Sequence, residues 1–115
     1  MKIIGDAGRF TPPSGQAGSH WIEQLRVADL SVGTYSIPRG GTDDQEPHTE
    51  DEIYMVTAGR AVLRAGVKGE GEVGGAAVEP GSVIYVAAGE EHRFTDVTED
   101  LAAVVLFAPA EGTAG

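Results

Sequence analysis

Between residues 40 and 59 the chain reads GGTDDQEPHTEDEIYMVTAG. One histidine, His48, stands among the carboxylates Asp43, Asp44, Glu46, Glu50, Asp51 and Glu52, and the segment then turns into an apolar run that ends at a glycine. Imidazole nitrogen and carboxylate oxygen together suit a divalent cation such as Fe, Mn, Ni or Zn. If residues 46–52 are extended, Glu46, His48, Glu50 and Glu52 share one face, because strand side chains alternate with period two. A bend at 49–51 changes that face but leaves His48 and Glu52 within reach of a common point. A second histidine opens the run HRFTDV, whose alternation puts His92, Phe94 and Asp96 on one face. His20 belongs to neither cluster and reads as a surface or subunit-contact residue.

These side chains need β-elements to hold them. Glycine or proline interrupts nearly every window of helix length, so no helix is expected. Residues 21–27 and 30–37 read as two strands, the second stopped by Pro38-Arg39-Gly40-Gly41. Residues 53–57 and 61–65, joined by Ala58-Gly59-Arg60, read as a hairpin. The stretch 66–75 holds five glycines in ten residues and reads as a flexible excursion or an edge hairpin. Short strands follow at 76–79, before Pro80-Gly81, and at 82–87 and 92–97, and residues 101–108 form a closing apolar strand. Strands spaced in this way predict an all-β fold, a small double-sheet jelly-roll barrel. The expected organisation is an irregular arm over 1–20, one barrel domain over 21–110 and a flexible tail over 111–115. The arm lies along the domain or along a partner subunit.

At 115 residues the chain is long enough to bury a core without staples. Eighteen acidic against eight basic residues give a net charge of −10, and no Lys/Arg cluster occurs, which argues against nucleic acid and anionic membrane surfaces as partners. The absence of cysteine excludes disulfides, thiolate catalysis and zinc-thiolate sites. The start MKIIGDAGRF has no apolar leader, and the run at 101–110 is too short to span a bilayer; a soluble cytoplasmic protein is expected.

The motifs resemble those of single-domain cupins. The first cupin motif is G, five residues, H-x-H, three or four residues, E, six residues, G. Gly40, Glu46-Pro47-His48, Glu52 and Gly59 reproduce its spacing, with Glu46 where the first histidine belongs. The second is G, five residues, P-x-G, two residues, H, three residues, N. Gly81, Ala87-Ala88-Gly89, His92 and Asp96 match it, with alanine for proline and aspartate for asparagine. Seven positions keep both identity and spacing across the two motifs. The resemblance implies a metal inside the barrel with His48, Glu52 and His92 as ligands, and Glu46 as fourth ligand or general base. Gln45 competes for that slot, although alternation from His48 ranks Glu46 first. Two carboxylates and two imidazoles make the site formally near neutral, shifting its preference toward harder ions.

Tyr54, two residues beyond Glu52, points inward with it as core filling or as an acid and orienting donor. Tyr35 and Phe94 read as core or pocket wall, Asp96 as an orienting or turn residue, and Glu50, Asp51, Glu90 and Glu91 as solvent-facing charges. By resemblance the chain is a metal-dependent enzyme acting on a small molecule, of dioxygenase, isomerase, lyase or cyclase type. The alternative is a non-catalytic small-molecule-binding module whose metal is structural or absent. Cupin barrels also pair through edge strands and arms, so a homodimer is expected.

Overall fold

A computed structural model describes residues 1–66 and 72–114. Six strands carry the chain: β1 His20–Val27, β2 Leu30–Ile37, β3 Asp51–Gly66, β4 Glu72–Val78, β5 Val83–Val86 and β6 His92–Ala108. Every pairing is antiparallel, in the order β1-β2-β6-β3-β4 with β5 also on β3. Among the described residues there is no helix, hence none long and apolar enough to cross a membrane.

The two long strands make this one curled sheet into a barrel. The first half of β3 pairs with the last half of β6 and is flanked by β5, while β2 and β1 continue the sheet on the far side of β6. The second half of β3 pairs with the start of β6 and is flanked by β4. Between the halves the register slips three times, between Val56 and Val62 of β3. Such bulges bend a strand and sharpen its twist, which lets the same pair of strands serve both sheets. The hairpin expected over 53–65 and the separate strands expected at 92–97 and 101–108 are therefore corrected: each is a single strand with a bulge where a turn was read. Gly59 marks the bend in β3. Its φ is +86°, and a Cβ there would lie 2.2 Å from the Asp100 carbonyl oxygen, so both conformation and space require glycine. Of the excursion expected over 66–75, residues 67–71 lie outside the described residues, and the rest is corrected: Gly66 ends β3 and 72–75 open β4.

Asp96 supplies the bend in β6. Its φ is +51°, a left-handed conformation that Asn and Asp tolerate better than most side chains. The alternation that put Asp96 beside His92 and Phe94 breaks there, and Asp96 is exposed. It is a backbone residue of the bend, with its carboxylate toward Arg64 at 3.4 Å.

The core fills the barrel with Ile37, Tyr54, Val56, Phe94, Leu101, Val105 and Phe107. Both faces of the last half of β6 are covered, because the N-terminal arm lies on the outside of the chain's own barrel. Gly8 donates its N–H to Thr34 Oγ1 at 2.9 Å and accepts from Thr57 Oγ1 at 2.6 Å, and Thr11 N–H reaches Ser36 Oγ at 3.1 Å. Thr34 and Ser36 are thereby buried and satisfied at what would be solvent positions of β2. The tail expected to be flexible is fastened too: Glu111 N–H donates to Ser31 Oγ at 2.9 Å and Ala114 N–H to Glu50 Oε2 at 3.1 Å.

Candidate metal and ligand site

Three segments bring the polar residues of the barrel interior together. On β3 alternation turns Glu52, Tyr54 and Val56 inward. His92 enters from the start of β6, and the β2–β3 connection supplies Gln45 and His48. That connection is not a strand, so period-two alternation does not govern it. It is set by Asp43, 2% exposed, whose Oδ1 accepts from Tyr35 O–H at 2.7 Å and from Gln45 N–H at 3.3 Å, while Oδ2 accepts from Phe94 N–H at 2.8 Å. Tied to two strands, Asp43 turns Gln45 inward. Glu46, ranked ahead of Gln45 by alternation, is exposed, while Gln45 is the residue that meets Tyr54 and His48.

Hydrogen bonds link the interior residues. Gln45 Nε2 donates to Tyr54 O–H at 2.7 Å, and Tyr54 O–H lies 2.9 Å from His92 Nε2. His48 Nε2 is 3.1 Å from Gln45 Oε1. Outside the ring, His92 Nδ1 faces the Glu90 carbonyl oxygen at 2.9 Å, and His48 Nδ1 faces Glu111 Oε2 at 3.2 Å. An acceptor at Nδ1 fixes the tautomer that keeps the proton outside and turns the Nε2 lone pair inward, the arrangement in which proteins hold histidine ligands. His92 has it, with the Tyr54 hydroxyl as donor to Nε2, whereas His48 faces an acceptor at each ring nitrogen, Glu111 Oε2 and Gln45 Oε1.

Glu52 is the unbalanced member. It is 1% exposed, and neither carboxylate oxygen has a hydrogen-bond partner. His92 Nε2 lies 3.3 Å from Glu52 Oε1, close enough for attraction between charges but without an aligned hydrogen bond. Burial works against charge on His92, yet Glu52 and the Glu90 carbonyl outweigh it and hold its pKa above the ordinary value. Burial and the Glu52 charge push the Tyr54 phenol far up, so it stays protonated and serves as a donor.

The donor types present, carboxylate, imidazole and amide oxygen, are ones that divalent ions take. An orphaned carboxylate inside a barrel calls for a cation, and two inward imidazole nitrogens with an amide oxygen are the neutral donors that complete such a site. Among the described residues, however, no three His, Asp or Glu side chains are gathered around one point. Glu52 and His92 are already paired, and His48 joins them through Gln45 and Tyr54.

The remaining acids divide. Glu50, expected at the surface, is 2% exposed. Burial pushes its pKa up, but hydrogen bonds from Thr49 and from the Gly112 and Ala114 amides hold it below the ordinary value. Asp51 caps Ala88 N–H at 2.9 Å and Glu90 caps Ala87 N–H at 3.0 Å, both at the surface. His20 stays outside the cluster, opposite Ser36 in the β1–β2 ladder. Above His48 a cavity of about 220 Å³ opens at the barrel mouth, with Trp21, Tyr35 and Phe107 among its walls and Glu111 at its edge. Glu111 and Asp43 had no distinguishing signal in the sequence. Asp43 was one acid of a run, and Glu111 lay in a glycine-flanked end.

A Cupin domain family model matches residues 33–109. The chain belongs to the cupin family. It is 41% identical over 91 residues to an uncharacterized protein of Streptomyces coelicolor, covering 79% of this chain and 81% of that one. The cupin barrel superposes on an uncharacterized conserved protein with a double-stranded beta-helix domain from Klebsiella pneumoniae with a TM-score of 0.77, at 19% identity, over 100% of this chain and 95% of the other. A structure of recombinant oxalate oxidase in complex with glycolate gives a TM-score of 0.71 at 23% identity over 93% of this chain. The chain spans 59% of that oxidase. Both superpositions bear on fold, and the double-stranded beta-helix agrees with the expected jelly roll.

Proposed function

We propose that this cupin is a metal-dependent enzyme acting on a small organic molecule, with His48, Glu52 and His92 as ligands and Gln45, not Glu46, beside them as the neutral fourth donor. The buried Glu52 carboxylate, which accepts no hydrogen bond and has His92 at 3.3 Å as its charge partner, carries the reading. With one carboxylate in place of two, the site keeps a formal charge of +1 when a divalent ion is bound, which favours Lewis acidity over the near-neutral site that Glu46 would give. A bound ion supplies polarisation of a substrate oxygen next to the apolar barrel wall.

The protein's own groups do the rest. Glu90 and Glu111 hold the outer nitrogens of the imidazoles, Asp43 aims Gln45, and Tyr54 presents a phenolic proton between Gln45 and His92. In this reading Tyr54 serves as the general acid or orienting donor. Reaction type within the dioxygenase, isomerase, lyase and cyclase range stays open. The second reading, a metal-free binding module, draws on the same hydrogen bonds, since Gln45, Tyr54 and His92 satisfy one another without an ion.

Elemental analysis separates the two. Protein purified without chelator, then loaded with Fe, Mn, Ni, Co or Zn in turn, should hold one ion per chain and lose it on His92→Ala or Glu52→Ala. Failure of every metal to reach stoichiometry refutes the enzyme reading and leaves the binding module.

A further inference from the structure

The cavity above His48 has a chemistry of its own. At about 220 Å³ it is smaller than the ~300 Å³ at which pockets for drug-sized ligands begin, so its occupant is small. Three of its walls are aromatic. Trp21 meets Phe107 edge to face, with centroids 5.9 Å apart and planes at 79°, and His48 stands over Phe107 at 4.6 Å and 61°. Tyr35 contributes its ring, because its hydroxyl is spent on Asp43. Gly33 lets the indole settle there, since a Cβ at Gly33 would lie 2.3 Å from Trp21 Cη2.

The polar edge of this cavity is acidic. Asp44 and Glu111 line it, and no lysine or arginine does. Glu111 Oε2 faces His48 Nδ1 at 3.2 Å, and the charge of Arg26 also reaches Glu111, but its guanidinium is bound to Glu23 at 2.7 Å. Asp44 Oδ1 accepts from Ser19 Oγ at 3.0 Å, a neutral partner that leaves the carboxylate charge uncompensated. Aromatic faces attract cations through the ring quadrupole, and two carboxylates on a chain of net charge −10 attract them further and repel anions.

We infer that this pocket binds a small organic cation, a molecule carrying an alkylammonium head that sits against Trp21, Tyr35 and Phe107 and is neutralised by Asp44 and Glu111. The inference depends on the proposed metal site only in taking the pocket, which shares Gln45 and His48 with the interior cluster, as the mouth through which a ligand reaches it. The consequence for substrate class is direct: ammonium compounds are favoured and free carboxylates are excluded by the pocket itself.

Trp21 is the only tryptophan of the chain, so its emission reports on this pocket alone. Chelator-treated full-length protein is titrated with tetramethylammonium chloride, with trimethylacetate as an anion of similar shape, and with sodium chloride at matched ionic strength. Tetramethylammonium should give a saturable change in Trp21 emission that neither control gives. Asp44→Asn and Glu111→Gln should each weaken it by about two- to fivefold, the scale of a partly exposed ion pair. Asp44 is exposed and asparagine keeps the Oδ1 that accepts from Ser19, so its variant keeps the test valid even if Glu111→Gln loosens the C-terminal segment. Trimethylacetate binding as tightly as tetramethylammonium, or a tetramethylammonium response no different from sodium chloride, overturns the inference. Because the titration uses metal-free protein, its outcome and that of the elemental analysis are independent.

Discussion

Replacing Glu52 by glutamine should make the metal-free protein more stable. The carboxylate is 1% exposed with both oxygens unpartnered, and an orphaned buried polar group costs about 1–3 kcal/mol, more when charged. Attraction to His92 at 3.3 Å offsets part of this, but burial opposes charge on His92 as well. Glutamine keeps the shape and removes the charge, and it releases His92 to be neutral, so no unpaired ion is left behind. A gain of about 1–2 kcal/mol follows. For a domain of this size it raises Tm by about 4–8 °C.

Metal reverses the order. An ion at 100 times its Kd stabilises the wild type by about 2.7 kcal/mol, and the variant should lose that response. Thermal melts of both proteins in chelator and in excess divalent metal measure the two effects together. A variant less stable than wild type in chelator, joined to a wild type whose melting ignores every metal, would refute the reasoning. Glu52 would then be a satisfied structural charge.

Two further outcomes follow from the placement of side chains. Gln45→Ala removes the bonds to Tyr54 and His48 and should cost about 1–3 kcal/mol in urea unfolding, whereas exposed Glu46→Ala should stay within about 0.5 kcal/mol; equal effects would return Glu46 to the site. Glu50 has a lowered folded pKa, so its stabilisation is present above the ordinary value of 4.5 and is lost as pH falls through the folded value. Glu50→Gln should therefore cost about 1.5–3 kcal/mol at neutral pH, with the difference from wild type shrinking in acid. A difference that does not change with pH would contradict the hydrogen-bonded carboxylate.

The fold was legible because its signals are local and redundant. Apolar alternation marked the strands, and Gly40, Gly59, Gly81 and Gly89 stood at motif spacing. All four have positive φ. What alternation cannot read is a strand that bends without stopping: Gly59 and Asp96 look like turn residues in sequence, and they become bulges because a partner strand continues on both sides. Inward placement is legible where a strand carries the residue, as with Glu52 and Tyr54. Around Glu46 an anchored loop, not a strand, sets which side chain faces in, and alternation does not reach it. Glu50 and Glu111 were out of reach because their surroundings come from the other end of the chain, through Ala114 and His48.

Barrel closure also orders events in time. Tyr54 and His92 meet across 38 positions, and Ser31 meets Glu111 across 80. At about 5–20 residues per second, His92 leaves the ribosome roughly 2–8 s after Glu52. Long-range antiparallel pairing then adds a closure step on the millisecond-to-second scale. Through that interval the acidic segment around His48 has no second imidazole and no barrel wall, so it can hold an ion only as loosely as any short peptide. Under the proposed function, selection among ions and ligands would therefore belong to the finished molecule and depend on the ion supply it meets after synthesis.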